Sequence, residues 1–314
     1  MHPKIFVSAL DSTKDYASMA EKYGYELCGP VAGPHSGNPE EILLAMKECD
    51  AGIIDCDFDT VEPYCDPSFE MGYLYGLGKP VVGTLSDTRS CAEKYPGEIH
   101  RDVRRNRTWC DENGLSLDSS CLNLMLEFGS RVVHGDIEEG FRDLRSNGMP
   151  EVCDGGDEPG FGLRGNRLCY LAGFEMFYED GCGLGRKSEE ASRKYGIDGL
   201  FPLEPVPGEY GYAEYEPKDE SIYESRKKLF LHDLKVMRSC DIIIANLSLF
   251  RDGHQPDSGT VFECGAMYAL GKHCFGFYED DTPDGLGPVT KYCMKLAHGP
   301  IEAGCRLAAE SLGY

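Results

Sequence analysis

The stretch Asp257-Ser258-Gly259-Thr260-Val261-Phe262-Glu263-Cys264-Gly265-Ala266-Met267-Tyr268-Ala269-Leu270-Gly271-Lys272 decides how this chain is read. Before it comes an apolar run, Asp241-Ile242-Ile243-Ile244-Ala245-Asn246-Leu247, of the kind buried in a parallel sheet. Ser248 to Pro256 is loop material. From Thr260 the apolar positions Phe262, Ala266, Ala269 and Leu270 recur at helical spacing, and Gly271 closes the helix. Glu263 is therefore expected in the first turn of a helix, just past the carboxyl end of a strand. Open α/β sheets bind their ligands there, and the helix dipole favours an ionised acid. Thr260-Val261-Phe262-Glu263 also fits a capping box, in which the glutamate only closes the helix start. Capping explains neither Asp257, six residues upstream, nor Gly259, where a ligand could approach the backbone. Two carboxylates in one strand-to-helix crevice suit cleavage of a glycosidic bond.

The chain has 314 residues, enough for two ordinary domains, and a formal charge of −23. That charge argues against a nucleic-acid polymer as partner, which needs clustered Lys and Arg. No apolar run has the length of a membrane span, and Met1-His2-Pro3-Lys4 enters a strand with no signal sequence, so a cytoplasmic protein is expected. The 15 cysteines form no C-x-x-C pair, and Cys49, Cys240 and Cys264 fall inside core elements. They read as reduced buried thiols, and with the eight histidines scattered no metal site is expected.

Strands are expected over Lys4 to Ala9, Tyr25 to Cys28, Gly52 to Cys56 and Pro80 to Leu85. Helices are expected over Lys14 to Tyr23, Glu40 to Cys49 and Ser68 to Leu77. This alternation predicts a doubly wound parallel sheet. The same order then recurs. Lys22-Tyr23-Gly24 returns as Lys194-Tyr195-Gly196, and Cys49-Asp50 as Cys240-Asp241. Phe69-Glu70-Met71-Gly72 through Gly78-Lys79 returns as Phe262-Glu263-Cys264-Gly265 through Gly271-Lys272. Arg131-Val132-Val133-His134-Gly135 returns as Lys295-Leu296-Ala297-His298-Gly299. A tandem duplication is expected: residues 1–146, a linker 147–166, and residues 167–314, as two flavodoxin- or Rossmann-like α/β domains forming an internal pseudo-dimer. Gly160-Phe161-Gly162-Leu163-Arg164-Gly165 precedes a strand instead of following one, so it is read as linker glycine and not as a dinucleotide site. The basic run Arg101 to Arg107 is read as a solvated helix face.

With Tyr170-Leu171-Ala172-Gly173-Phe174, His232-Asp233-Leu234, Asn246-Leu247, and Asp257-Ser258-Gly259-Thr260 running into Phe262-Glu263-Cys264-Gly265, the chain resembles the nucleoside 2-deoxyribosyltransferase family. The resemblance covers both halves and implies a base-exchange activity of nucleoside salvage, with nucleosides and free nucleobases as partners and no cofactor. It implies Glu263 as nucleophile, Asp257 and Asp233 as the groups that contact and protonate the base, and Tyr170 as the residue that orients Glu263. Gly173, Phe174, Asn246 and Gly259 are implied in substrate binding. The first half keeps Glu70 but has Phe6-Val7-Ser8-Ala9 at its start, Ile42 in place of Asp233, and Cys65-Asp66-Pro67-Ser68 before its helix. Glu70 is therefore expected to be vestigial. Leu122-Asn123-Leu124-Met125-Leu126 resembles the family segment that lends an asparagine to a neighbouring sugar pocket, so Asn123 is expected to complete the second half's site. Two rival readings stand beside this one: hydrolysis of deoxynucleosides or their monophosphates on the same scaffold, and a non-catalytic nucleoside sensor. Assembly of pseudo-dimers into larger homo-oligomers and the role of Tyr314 stay open.

Overall fold

The computed structural model describes residues 2–34, 37–57, 63–102, 108–117, 120–152, 167–202, 220–251, 255–279 and 285–314. In the first half, strands β1 (Lys4–Ser8), β2 (Glu26–Leu27), β3 (Ala51–Asp55) and β4 (Val81–Leu85) alternate with helices α1 (Tyr16–Tyr23), α2 (Pro39–Glu48) and α3 (Cys65–Gly76). An excursion follows, with α4 (Cys91–Lys94) and a hairpin of β5 (Ile99–Asp102) and β6 (Thr108–Asp111). The half closes with α5 (Leu124–Gly129), β7 (Arg131–His134) and α6 (Ile137–Asn147). The second half runs β8 (Leu168–Ala172), a 3-10 turn over Phe174–Phe177, α7 (Gly181–Arg193), β9 (Asp198–Leu200) and α8 (Glu220–Ser239). It continues with β10 (Ile242–Asn246), α9 (Ser258–Ala269), β11 (His273–Tyr278), α10 (Pro288–Cys293), β12 (Lys295–His298) and α11 (Ile301–Leu312).

Each half holds a five-stranded parallel sheet, in the orders β2-β1-β3-β4-β7 and β9-β8-β10-β11-β12. Both are the 2-1-3-4-5 order of flavodoxin-like sheets, in which the chain reverses direction between the first and third strands and leaves a crevice at their carboxyl ends. The strands are apolar on both faces because helices cover both. Ile5 and Val7 face α1 and α6, while Phe6 faces the opposite way. Likewise Cys169 and Leu171 pack with α11, while Tyr170 and Ala172 turn inward.

The two inward faces share one core, and at its centre α3 crosses α9. A Cβ at Gly72 would lie 2.0 Å from the Phe262 carbonyl oxygen, and one at Gly265 would lie 2.1 Å from that of Phe69. Only glycine permits this backbone-to-backbone approach, and the contact is reciprocal. The stretches paired in the sequence occupy matching places: α3 and α9 at the centre, β7 and β12 as the fifth strands.

Two expectations change. Of the basic run, Arg101 and Asp102 lie in a β-hairpin, not on a helix, while residues 103–107 lie outside the described residues; the Arg101 guanidinium sits 4.5 Å from the Trp109 ring centre, a cation–π contact that local charge patterning does not encode. Asn147 ends α6, so the expected linker begins inside a helix; residues 153–166, with the glycine motif, lie outside the described residues. The Arg167 guanidinium stacks 4.4 Å from the ring centre of Tyr314. All the described cysteines but Cys121 and Cys182 are buried. Among the described residues no helix is long and apolar enough to cross a membrane, and no cluster of three or more His, Cys, Asp or Glu could hold a metal ion.

Candidate active site

The carboxyl ends of β8 and β10 lie side by side, with Tyr170 paired to Ile243 and Ala172 to Ala245. The start of α9 faces them. The Tyr170 hydroxyl donates to Glu263 Oε1 at 2.5 Å, and both side chains are buried. Burial pushes the Glu263 carboxyl well above the usual carboxylate range, and the nearby charge of Asp233 adds to this. The Tyr170 bond works in the opposite direction but does not cancel it. Asp233, on α8, is buried too, and its Oδ1 has no hydrogen-bond partner among the described residues. Burial alone raises its carboxyl well above the usual range. Both carboxyls are thus pushed toward the protonated form, and a charge on Asp233 further opposes ionisation of Glu263.

The capping box that Thr260 to Glu263 fits in sequence is not formed. Asp257 is the N-cap of α9: its Oδ2 accepts from the Thr260 amide at 2.7 Å and the Thr260 hydroxyl at 2.8 Å. Glu263 therefore lies in the second helical turn, beyond reach of the cap, and its Oε1 is engaged by tyrosine instead. Asp257 Oδ1 accepts from Asn123 Nδ2 at 3.1 Å. Asn123, the N-cap of α5 in the first half, also accepts from the Met125 amide through Oδ1 at 3.0 Å. It lies flat on the start of α9, where a Cβ at Gly259 would be 2.5 Å from its Oδ1. Asn123, Asp257, Gly259, Tyr170, Glu263 and Asp233 thus converge at one crevice.

On its other wall, Asn246 Nδ2 donates to Glu175 Oε1 at 2.8 Å, and Asn246 Oδ1 accepts from the Ser248 amide at 3.1 Å. A Cβ at Gly173 would meet Glu175 Oε2 at 2.0 Å, so the glutamate folds back over the strand end. Phe174 packs on Phe250 with ring centres 5.1 Å apart. Glu175 is a further candidate site residue, not among those expected from the sequence. Burial first, and then the charges of Asp257 and Glu279, raise its carboxyl, while the Asn246 bond offsets part of the rise. The available signal was an acid two residues past Gly173, but its partner depends on the β8–β10 register.

The matching crevice in the first half is built differently. Phe6 pairs with Gly52 as Tyr170 does with Ile243, and it has no hydroxyl to offer. Glu70 is 0% exposed, against 7% for Glu263, and neither of its oxygens has a hydrogen-bond partner among the described residues. Burial and then the charge of Asp66 push its carboxyl well up; the Ser8 hydroxyl, outside hydrogen-bond geometry, offsets little. Asp66 reaches into the second half, where it accepts from the Val289 amide at 3.1 Å, the Thr290 amide at 3.0 Å and the Thr290 hydroxyl at 2.9 Å. A Cβ at Gly287 would lie 2.1 Å from Asp66 Cγ. At both crevices a first-half side chain lies over a second-half glycine: Asn123 over Gly259, Asp66 over Gly287.

A doubly wound α/β domain with a tyrosine-held carboxyl at its strand ends is a candidate small-molecule site, and its carboxyl pair fits chemistry at a glycosidic carbon. Residues 169–302 match the family model Nucleoside 2-deoxyribosyltransferase, and this part of the chain is a domain of that family. An uncharacterized protein of Schizosaccharomyces pombe is 33% identical over 111 residues, 35% of this chain and 49% of its own length, so the chain spans about half of that relative. Among solved structures, a 2-deoxyribosyltransferase from the psychrotolerant bacterium Bacillus psychrosaccharolyticus shows 27% identity over 42% of this chain and 85% of its own, with a TM-score of 0.31. A conserved protein from Enterococcus faecalis V583 shows 17% identity over 46% of this chain and 96% of its own, with a TM-score of 0.32.

Proposed function

We propose that the chain is a nucleoside 2-deoxyribosyltransferase with its working site in the second half and that the two halves are a duplicated pseudo-dimer. The observation that carries this reading is the Tyr170–Glu263 hydrogen bond at the strand ends. Glu263, as carboxylate, attacks the anomeric carbon of a 2-deoxyribonucleoside while the bond to the base nitrogen breaks. The base departs with the proton of Asp233, leaving Asp233 ionised and the sugar as an ester on Glu263. An incoming base returns a proton to Asp233 as its nitrogen attacks the anomeric carbon, and Glu263 leaves as carboxylate. Two inversions retain the β configuration. Asp257 and the Asn123 amide line the same crevice, Asn123 being the first half's contribution, and Glu70 takes no part.

Incubation of deoxyinosine with and without adenine tests the reading. Exchange yields deoxyadenosine and hypoxanthine only when adenine is present. Free hypoxanthine without an acceptor would instead assign a hydrolase, and no product in either tube would assign a sensor.

A further inference from the structure

We propose that the excursion between β4 and α5 is a strap on the second half's site, and that Arg251 is the positioning residue through which it acts on Asp257. This rests on the transferase reading and adds to it a residue from outside the carboxyl cluster. The excursion spans residues 86–123 in the first half, whereas the corresponding connection in the second half is residues 279–287. Asp111 and Ser116 within it reach the other half. The Ser116 amide donates to the Phe177 carbonyl at 2.9 Å, tying down the 3-10 turn that carries Phe174 and Glu175. Arg251 Nη2 donates to the Ser116 carbonyl at 2.8 Å, and Nη1 lies 3.9 Å from Asp111 Oδ2.

The ion pair is buried, with side chains 2% exposed for Arg251 and 0% for Asp111. Burying two charges is costly, and such a pair serves better to fix a geometry than to stabilise a fold. The guanidinium is also set 4.3 Å from the Phe250 ring centre and 5.2 Å from that of Phe177. Arg251 adopts φ 49, a left-handed conformation that a side chain of this size takes only when its surroundings hold it. Its loop is closed where the Phe250 amide donates to the Gln255 carbonyl at 2.9 Å, two residues before Asp257. Any shift of the strap therefore passes through Arg251 to the cap of α9.

The charge of Arg251 matters at the same point. Burial raises the Asp257 carboxyl above the usual range, and the two Thr260 bonds and then the Arg251 charge offset part of that rise. Among the described residues, the other titratable groups around this corner include Asp111, Tyr95 and Glu112 on the strap, Glu175 and Tyr178 on the turn, and Glu263 on α9. Asp257 accepts three hydrogen bonds and so acts as a carboxylate. Ligand affinity that depends on it is lost as pH falls through its value in the folded protein. Without the cation that value rises, and the loss begins at higher pH.

The test is the affinity of the full chain for hypoxanthine and thymine across pH, with thermal unfolding in parallel. Arg251→Gln is expected to raise the pH at which affinity is half lost by about one unit. Arg251→Lys keeps the charge but not the planar fork, so that midpoint is expected to stay while affinity falls about tenfold. Lower melting temperatures with unchanged midpoint and affinity would make Arg251 merely structural and overturn the inference. If Arg251→Gln does not fold, Arg251→Lys decides: wild-type affinity, or a displaced midpoint, overturns it. A wild-type chain that binds no base and exchanges none would remove the transferase reading together with the strap's role in it.

Discussion

Tyr170 and Phe6 hold matching places in their strands, and the difference of one hydroxyl separates the states of two glutamates. Glu263 has a donor that favours its ionised form; Glu70 has none among the described residues. As a nucleophile Glu263 must lose its proton, and its raised value places the acid limb of the turnover profile above the ordinary glutamate range. Tyr170→Phe removes the bond that lowers it, so that limb is expected to move to higher pH. Turnover at neutral pH should fall roughly 10–100-fold, in line with a charged hydrogen bond of about 1.5–3 kcal/mol. A steady-state pH profile of base exchange with an unmoved limb would contradict the assignment. Glu70 calls for the opposite experiment. Its raised value means that, as pH climbs past the ordinary glutamate value, the unfolded chain releases a proton that the folded chain retains, so stability declines. Glu70→Met is expected to flatten that decline and to stabilise by about 1–3 kcal/mol at neutral pH, read by urea unfolding at two pH values, with exchange retained.

At the level of elements, the strands, their alternation with helices and the helix after β10 are legible in the sequence because buried parallel strands advertise themselves as apolar runs bounded by helices of alternating period. The start of α9 was misplaced for a local reason. Asp257 and Thr260 are both sound N-caps, and only the contact between Tyr170 and Glu263 shows which of them the fold uses. The Glu175–Asn246 and Asp66–Thr290 contacts were not legible, since one needs the register of two strands and the other the docking of two halves. The α3–α9 crossing is a direct test of that docking. Gly72→Ala places a Cβ against the Phe262 carbonyl and is expected to destabilise by roughly 1–3 kcal/mol or to separate the halves. Gly78→Ala, with open space around it but φ +70, should cost only the backbone penalty of about 1–2 kcal/mol and leave exchange intact. Equal loss of exchange in both variants, measured beside their melting curves, would argue against a critical crossing.

Across the whole molecule, the proposed reaction draws its carboxyls from the second half, while the first contributes Asn123, the strap and half of the shared core. A chain of residues 167–314 alone keeps Glu263, Tyr170, Asp233 and Asp257 yet exposes the inner face of its sheet. It is expected to lose exchange; full activity from that piece, assayed with deoxyinosine and adenine, would remove the first half from the site. The central claim is that one glutamate holds the sugar between the two displacements. Its most direct measurement is peptide mass analysis of the chain quenched during turnover of deoxyinosine without an acceptor base. One deoxyribosyl group on the peptide bearing Glu263 and none on that bearing Glu70 is expected, with no label and at least ~10³-fold slower exchange, about 4 kcal/mol of barrier, in Glu263→Gln. Label on Glu70, or near-normal exchange by Glu263→Gln, would contradict it.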